Sequence, residues 1–208
     1  MKKNFFYFLI LFIAFTFTSC ESTGNVNVKR VSADTVTDLS GYWNDTDIRL
    51  VAEEIINGCL TSPRILEYPL THNGALPVVI VGSYRNKSDE HIDTEILTKK
   101  LETALVNSGK VEFVASSSER LELREERKDQ QINSSEETAK SLGNETAADY
   151  MLQGSIKTIV DTDGQTMTRT YYVTTEMIHI ENNKKIWMND NSSIKKVIKR
   201  PLKYTIKR

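Results

Sequence analysis

The strongest chemical signal in this chain is Cys20, and the chemistry it signals is acylation rather than catalysis. Thr18 and Ser19 are small enough to open the bond before it to a signal peptidase of the lipoprotein type, and the cysteine sulfur would then carry a diacylglycerol. Lys2 and Lys3 supply a positive start, and Asn4 to Phe17 form an aromatic-rich apolar run of fourteen residues without a charge. Such a run is too short to span a membrane comfortably and fits the apolar core of a secretory signal. A plain cleaved signal, or a buried first helix, is the alternative.

Other candidate chemistry is sparse. His72, His91 and His179 are far apart, and none has a second metal-type ligand one helical turn away, so no metal site is expected. The first two read as solvent-facing, and His179 as a satisfied structural histidine on a strand. Asp161-Thr162-Asp163-Gly164 begins like a calcium loop but lacks the later acid, which leaves a hairpin turn. Carboxylates crowd Glu119 to Asp129, yet Arg120, Arg124, Arg127 and Lys128 interleave with them as on a solvated helix face. Acylated Cys20 would leave Cys59 without a partner. Its place on the apolar face of an expected helix makes it a small buried hydrophobe. Phosphate loops, Gly-x-Ser-x-Gly elbows and Cys-x-x-Cys pairs are missing, so neither a catalytic residue nor a cofactor is expected. A net charge of −1 offers no field to gather nucleic acid.

The elements around these residues can be placed by periodicity. Residues 1–19 read as the signal peptide, 20–40 as a polar tether, 41–197 as a globular domain and 198–208 as a basic tail. A helix capped by Asn44 or Asp45 would bury Ile48, Val51, Ala52, Ile55, Ile56 and Cys59 and stop at Gly58 and Pro63. After a turn-rich stretch, Pro77 to Gly82 is a buried strand. A second helix from Asp93 or Thr94 carries Ile96, Leu97, Leu101, Ala104 and Leu105 to Gly109, and Val111 to Val114 is a strand. This strand, helix and strand form a right-handed crossover with parallel strands. Ser117 to Gln130 reads as an exposed helix, and Ser134 to Glu137 as the cap of another ending at Gly143. From Tyr150 the period changes to two, and three strands separated by turns form an antiparallel meander. The fold class is α/β in the mixed α+β sense, a single domain with a mixed sheet of about five strands flanked by helices. Seven cations without an acid lie between Ile194 and Arg208; they fit contact with anionic lipid or an acidic partner, or else a solvated strand edge.

Gly41-Tyr42-Trp43-Asn44-Asp45-Thr46-Asp47, the Pro77 to Gly82 strand followed by Arg85-Asn86-Lys87-Ser88, the run Ala147 to Ile156, and Ile186-Trp187 together resemble the LpoB family, lipoprotein activators of penicillin-binding proteins. The resemblance spans about Ser40 to Val197. It implies a fold similar to the amino-terminal domain of TolB and a lipid anchor in the outer membrane, facing the periplasm. It also implies no enzyme activity and no small-molecule substrate. The partner would be a noncatalytic domain of a bifunctional peptidoglycan synthase, whose glycan polymerisation and crosslinking are stimulated. Several motif residues read as fold-keeping: Asn44 and Asp45 as caps, Trp43 in packing, and Ala147, Ala148 and Gly154 in close approach. The tether departs from the family's long one, because about twenty residues reach at most roughly 70 Å. Two alternatives stand beside this reading, an accessory lipoprotein of a curli-secretion-like assembly and an enzyme with an unrecognised site.

Overall fold

The computed structural model describes residues 28–141, 143 and 145–199. Cys20, the apolar run before it and the cations from Arg200 onward lie outside the described residues. Two compact units divide the chain, with Val36 starting the second. In the first, the described residues 28–35 are exposed, and Thr35 N donates to Ser32 O at 3.1 Å.

Helix α1, Asp45–Leu60, begins where polar side chains replace the missing backbone partners. The Asn44 side chain accepts from Asp47 N at 3.2 Å, and the Asp47 carboxylate accepts from Asn44 N at 2.9 Å. All six apolar residues expected on its inner face are buried. Gly58 does not end the helix; it sits within it, where a Cβ would come 3.0 Å from Trp187 Cζ2. Pro63 starts a helix rather than only stopping one. The stretch expected as turns holds α2, Pro63–Leu66, and α3, Tyr68–Thr71, with proline in the first turn of each, where its missing N–H costs nothing.

Strand β1, Val78–Asn86, helix α4, Thr94–Ser108, and strand β2, Glu112–Phe113, form the expected crossover, with β1 and β2 parallel. Asp93 caps α4, and Gly109 closes it at φ 64°, a conformation that side chains disfavour. Leu97, Leu101 and Leu105 are buried; Ile96 is 49% exposed, because adjacent positions on a helix lie about 100° apart. Helix α5, Ser117–Asn133, buries no residue. Among the described residues from Ser134 to Gly143 no helix follows it. That stretch makes turns instead, since its capping residues precede no apolar stripe.

Strands β3, Tyr150–Thr162, β4, Thr166–His179, and β5, Lys185–Asn191, form the antiparallel meander, and β3 also pairs in parallel with β1. The sheet runs β2-β1-β3-β4-β5, and a sixth strand, β6, Lys195–Lys199, pairs with β4. The fold class is as expected, with one strand more than the sequence count. Cations fill three of the five β6 positions and conceal its alternation: Lys196 and Ile198 are half-buried, while Lys195, Val197 and Lys199 are exposed.

The core lies between the sheet and helices α1 and α4. Val79, Leu152, Ile156, Tyr171, Val173 and Met177 meet Val51, Ile55, Leu97, Leu101 and Leu105, all 1% exposed or less. On the opposite sheet face, Met151, Gln153, Ser155, Thr174 and Glu176 are half-buried. Gly154 allows the close approach expected of it: a Cβ there would lie 2.5 Å from both Thr174 O and Tyr84 Cε1. The space it leaves admits the Tyr84 ring, whose hydroxyl donates to Thr175 Oγ1 at 3.1 Å.

Candidate binding surfaces

At one pole of the sheet, chain segments distant in sequence are clasped together around Arg169. This side chain is 6% exposed and lies 2.8 Å from Asp89 Oδ1 and 2.9 Å from Glu90 Oε1. The Tyr171 hydroxyl donates to Glu90 at 2.6 Å, and Trp43 N donates to the other Glu90 oxygen at 3.0 Å. Burial, and then the Glu90 carboxylate, push the Tyr171 hydroxyl well above the usual phenol range. Tyr42 lies under the guanidinium, 5.0 Å from ring centroid to Cζ. From β6, Lys196 donates to Tyr42 O at 2.7 Å and pairs with Asp47 at 2.7 Å and Asp38 at 3.1 Å. Desolvation raises the Asp47 carboxyl above its ordinary value although Lys196 opposes it.

The stretch Gly41 to Asp47 is therefore a strap held by β4, β6 and the loop after β1. Its motif residues do the structural work expected of them: Asn44 caps α1, while Trp43 packs 5.1 Å from the Tyr171 ring. Asp45 is the first helical residue rather than the cap. No local sequence pattern marks Arg169 and Glu90, because the pairing spans 79 positions. An isolated arginine inside an alternating strand was the available signal.

The opposite pole is aromatic. Tyr68 stacks on His72 at 3.7 Å and meets Tyr150 edge-on at 5.8 Å, and Tyr150 meets His179 at 5.5 Å. Burial and Asp149 raise the Tyr68 hydroxyl to about 12. Asp149, rather than the exposed Ala147, does the fastening within its motif. Its carboxylate accepts from Val78 N at 2.8 Å, its N–H donates to Val78 O at 2.8 Å, and its carbonyl accepts from Ile180 N at 2.9 Å. Leu70, Leu66 and Ile180 stand in solvent here, 82%, 51% and 41% exposed.

A concavity of about 900 Å³ lies between α1 and α4, with Ala52, Ile56, Ile96 and Ala104 among its lining. Lys99, part of its lining, meets Glu102 at 2.8 Å and Glu119 at 2.9 Å.

The residues singled out for chemistry are not brought together. His72 and His91 are exposed, as expected; His179 has a buried Nδ1 without a protein partner, so that atom is not satisfied as expected. Among the described residues no cluster of histidine, cysteine, aspartate and glutamate could hold a metal ion. Asp163 accepts from Thr166 N at 2.6 Å and Gln165 N at 3.0 Å, a hairpin turn. Cys59 is fully buried and its thiol is pushed to about 12, which suppresses the thiolate.

The family model for the peptidoglycan-synthase activator LpoB matches residues 47–193. The chain belongs to the LpoB family. Among solved structures, the LpoB carboxy-terminal domain from Salmonella enterica is 16% identical, covering 74% of this chain and 96% of that one at TM-score 0.35. The Escherichia coli domain is 18% identical, covering 60% and 83% at 0.35. A lipoprotein of Neisseria meningitidis is 13% identical, covering 58% and 83% at 0.34. No curated protein matches the chain.

Proposed function

We propose that this LpoB-family protein is a noncatalytic lipoprotein, anchored through Cys20 in the outer membrane and facing the periplasm, which activates a bifunctional penicillin-binding synthase by direct binding. The match to the LpoB family model over residues 47–193 carries this reading. Lipidation of Cys20 after removal of residues 1–19 belongs to the same proposal, with residues 20–40 as tether, 41–197 as the binding domain and 198–208 as a basic tail. An activator of this kind binds the active conformation of the synthase more tightly and shifts its population by that difference in affinity.

Mixing the full-length lipoprotein in detergent micelles with the purified synthase tests the reading. Glycan polymerisation and crosslinking rates should both rise. Unchanged rates together with no detectable binding would overturn it. Mass spectrometry should find a diacylglyceryl group on the amino-terminal cysteine, and Cys20→Ser should abolish it and release the protein from membranes.

A further inference from the structure

We propose that the pole opposite the clasp, presenting Leu66, Leu70, Ile180 and the stacked Tyr68 and His72, is the surface that docks on the synthase. The inference rests on the activator reading and adds to it a place on the molecule.

Three observations carry it. The first is exposure: Leu70 at 82% and Leu66 at 51% are large apolar side chains offered to solvent at one end of the domain. Large apolar side chains clustered on a surface mark an interaction site. The second is rigidity. Ser62 caps α2, its side chain accepting from Arg64 N at 3.3 Å, and Ile65, directly before Leu66, is 1% exposed and packs in the core. Tyr68 holds α3 through its contacts with His72 and Tyr150. Little backbone freedom is left for binding to remove.

The third is the place where the chain comes into the domain. The strap of Gly41 to Asn44 is fixed beside Arg169 and Tyr171, near the start of β4, whereas His179 closes β4 beside Tyr150 and Tyr68. Ten residues of strand separate Arg169 from His179, about 33 Å at 3.3 Å each. A domain tethered through its amino terminus thus has this pole as its far end. Its reach is the tether's, at most roughly 70 Å, plus about 30 Å of sheet. The groove between α1 and α4 lies along the domain's flank and gains less reach.

The partner's chemistry follows from the patch. Arg64 and Glu67, of opposite sign, flank the leucines, and both are exposed. The complementary surface is therefore a folded protein face with an apolar hollow, and the contact should depend little on salt.

The test measures the affinity of the full-length lipoprotein, in detergent micelles, for the purified synthase. Leu66→Asp with Leu70→Asp should weaken binding at least thirty-fold, with an unchanged melting temperature because both side chains are exposed. Ile96→Asp in the groove should stay within about two-fold, and wild-type affinity should change less than about three-fold between 0.05 and 0.5 M salt. A photocrosslinking residue at position 70 should give an adduct with the synthase. Wild-type binding that survives both leucine substitutions overturns this inference and leaves the activator reading intact; loss confined to Ile96→Asp, or an adduct obtained only from position 96, does the same. Wild-type protein that neither binds nor stimulates overturns both.

Discussion

Two groups of ion pairs in this molecule use the same chemistry in opposite surroundings. On α5, Arg124 meets Glu145 at 2.8 Å and Arg127 meets the same carboxylate at 3.2 Å, with side chains between 25% and 46% exposed. In the clasp, Arg169 and Glu90 are 6% and 9% exposed. Water can replace any partner lost on α5. In the clasp, losing one partner leaves the other buried with its charge unmatched. Stability therefore depends on the clasp far more than on the helix with more charges.

Removing the clasp cation is the severest test of that contrast. Arg169→Ala should lower unfolding free energy by about 3–5 kcal/mol in urea titrations, because Glu90 is left buried without its cation. Replacing Arg169 by Met together with Glu90→Gln should recover part of the loss. Lys196→Ala should cost roughly 2–3 kcal/mol, since the Asp47 side chain it serves is 4% exposed.

Acid should loosen the clasp next. The Asp89 carboxyl is held below its ordinary value by the Thr158 hydroxyl and by Arg169, and that of Asp38 by Asn44 and Lys196. Carboxyls depressed in the folded state contribute stability that is present above the unfolded value near 3.8 and is lost as the pH falls through the lower folded values. The raised Asp47 carboxyl acts in the opposite sense, so melting temperatures should fall only modestly as the pH is taken below about 3.8, while hydrogen exchange should rise first in Gly41 to Asn44.

The smallest effect belongs to Glu145→Ala, which should leave the midpoint of the same titration almost unmoved, since its ion pairs are open to solvent. A loss there equal to that of Arg169→Ala would break the comparison outright.

The contrast also separates what the sequence discloses from what it hides. Helices α1, α4 and α5 and the meander are legible because their signals are local: capping residues, a glycine at a helix end, a change of period at Tyr150. The clasp is not, since Arg169 finds Asp89 and Glu90 only after β1, β3 and β4 have been brought side by side. Strand β6 was hidden by lysines, although Lys196 and Ile198 alternate inward as a half-buried strand requires. The two short helices between Thr61 and Leu76 were obscured by prolines, which read as breakers but serve as starters. The aromatic pole escaped notice for the same reason as the clasp. Tyr68, Tyr150 and His179 belong to three elements, and no local pattern unites them.

The strap's attachment to β4 and β6 also makes distance and fold independent variables. Force or slack arriving from the amino-terminal side meets Lys196, Glu90 and Tyr171 before it meets the hydrophobic core. Residues inserted between Thr35 and Val36 would change how far the domain can travel while leaving its unfolding free energy as it was. If residues 20–40 tether the domain as proposed, the span between anchor and partner is a ruler that can be lengthened or cut to suit the width of an envelope, with no compensating change elsewhere in the protein.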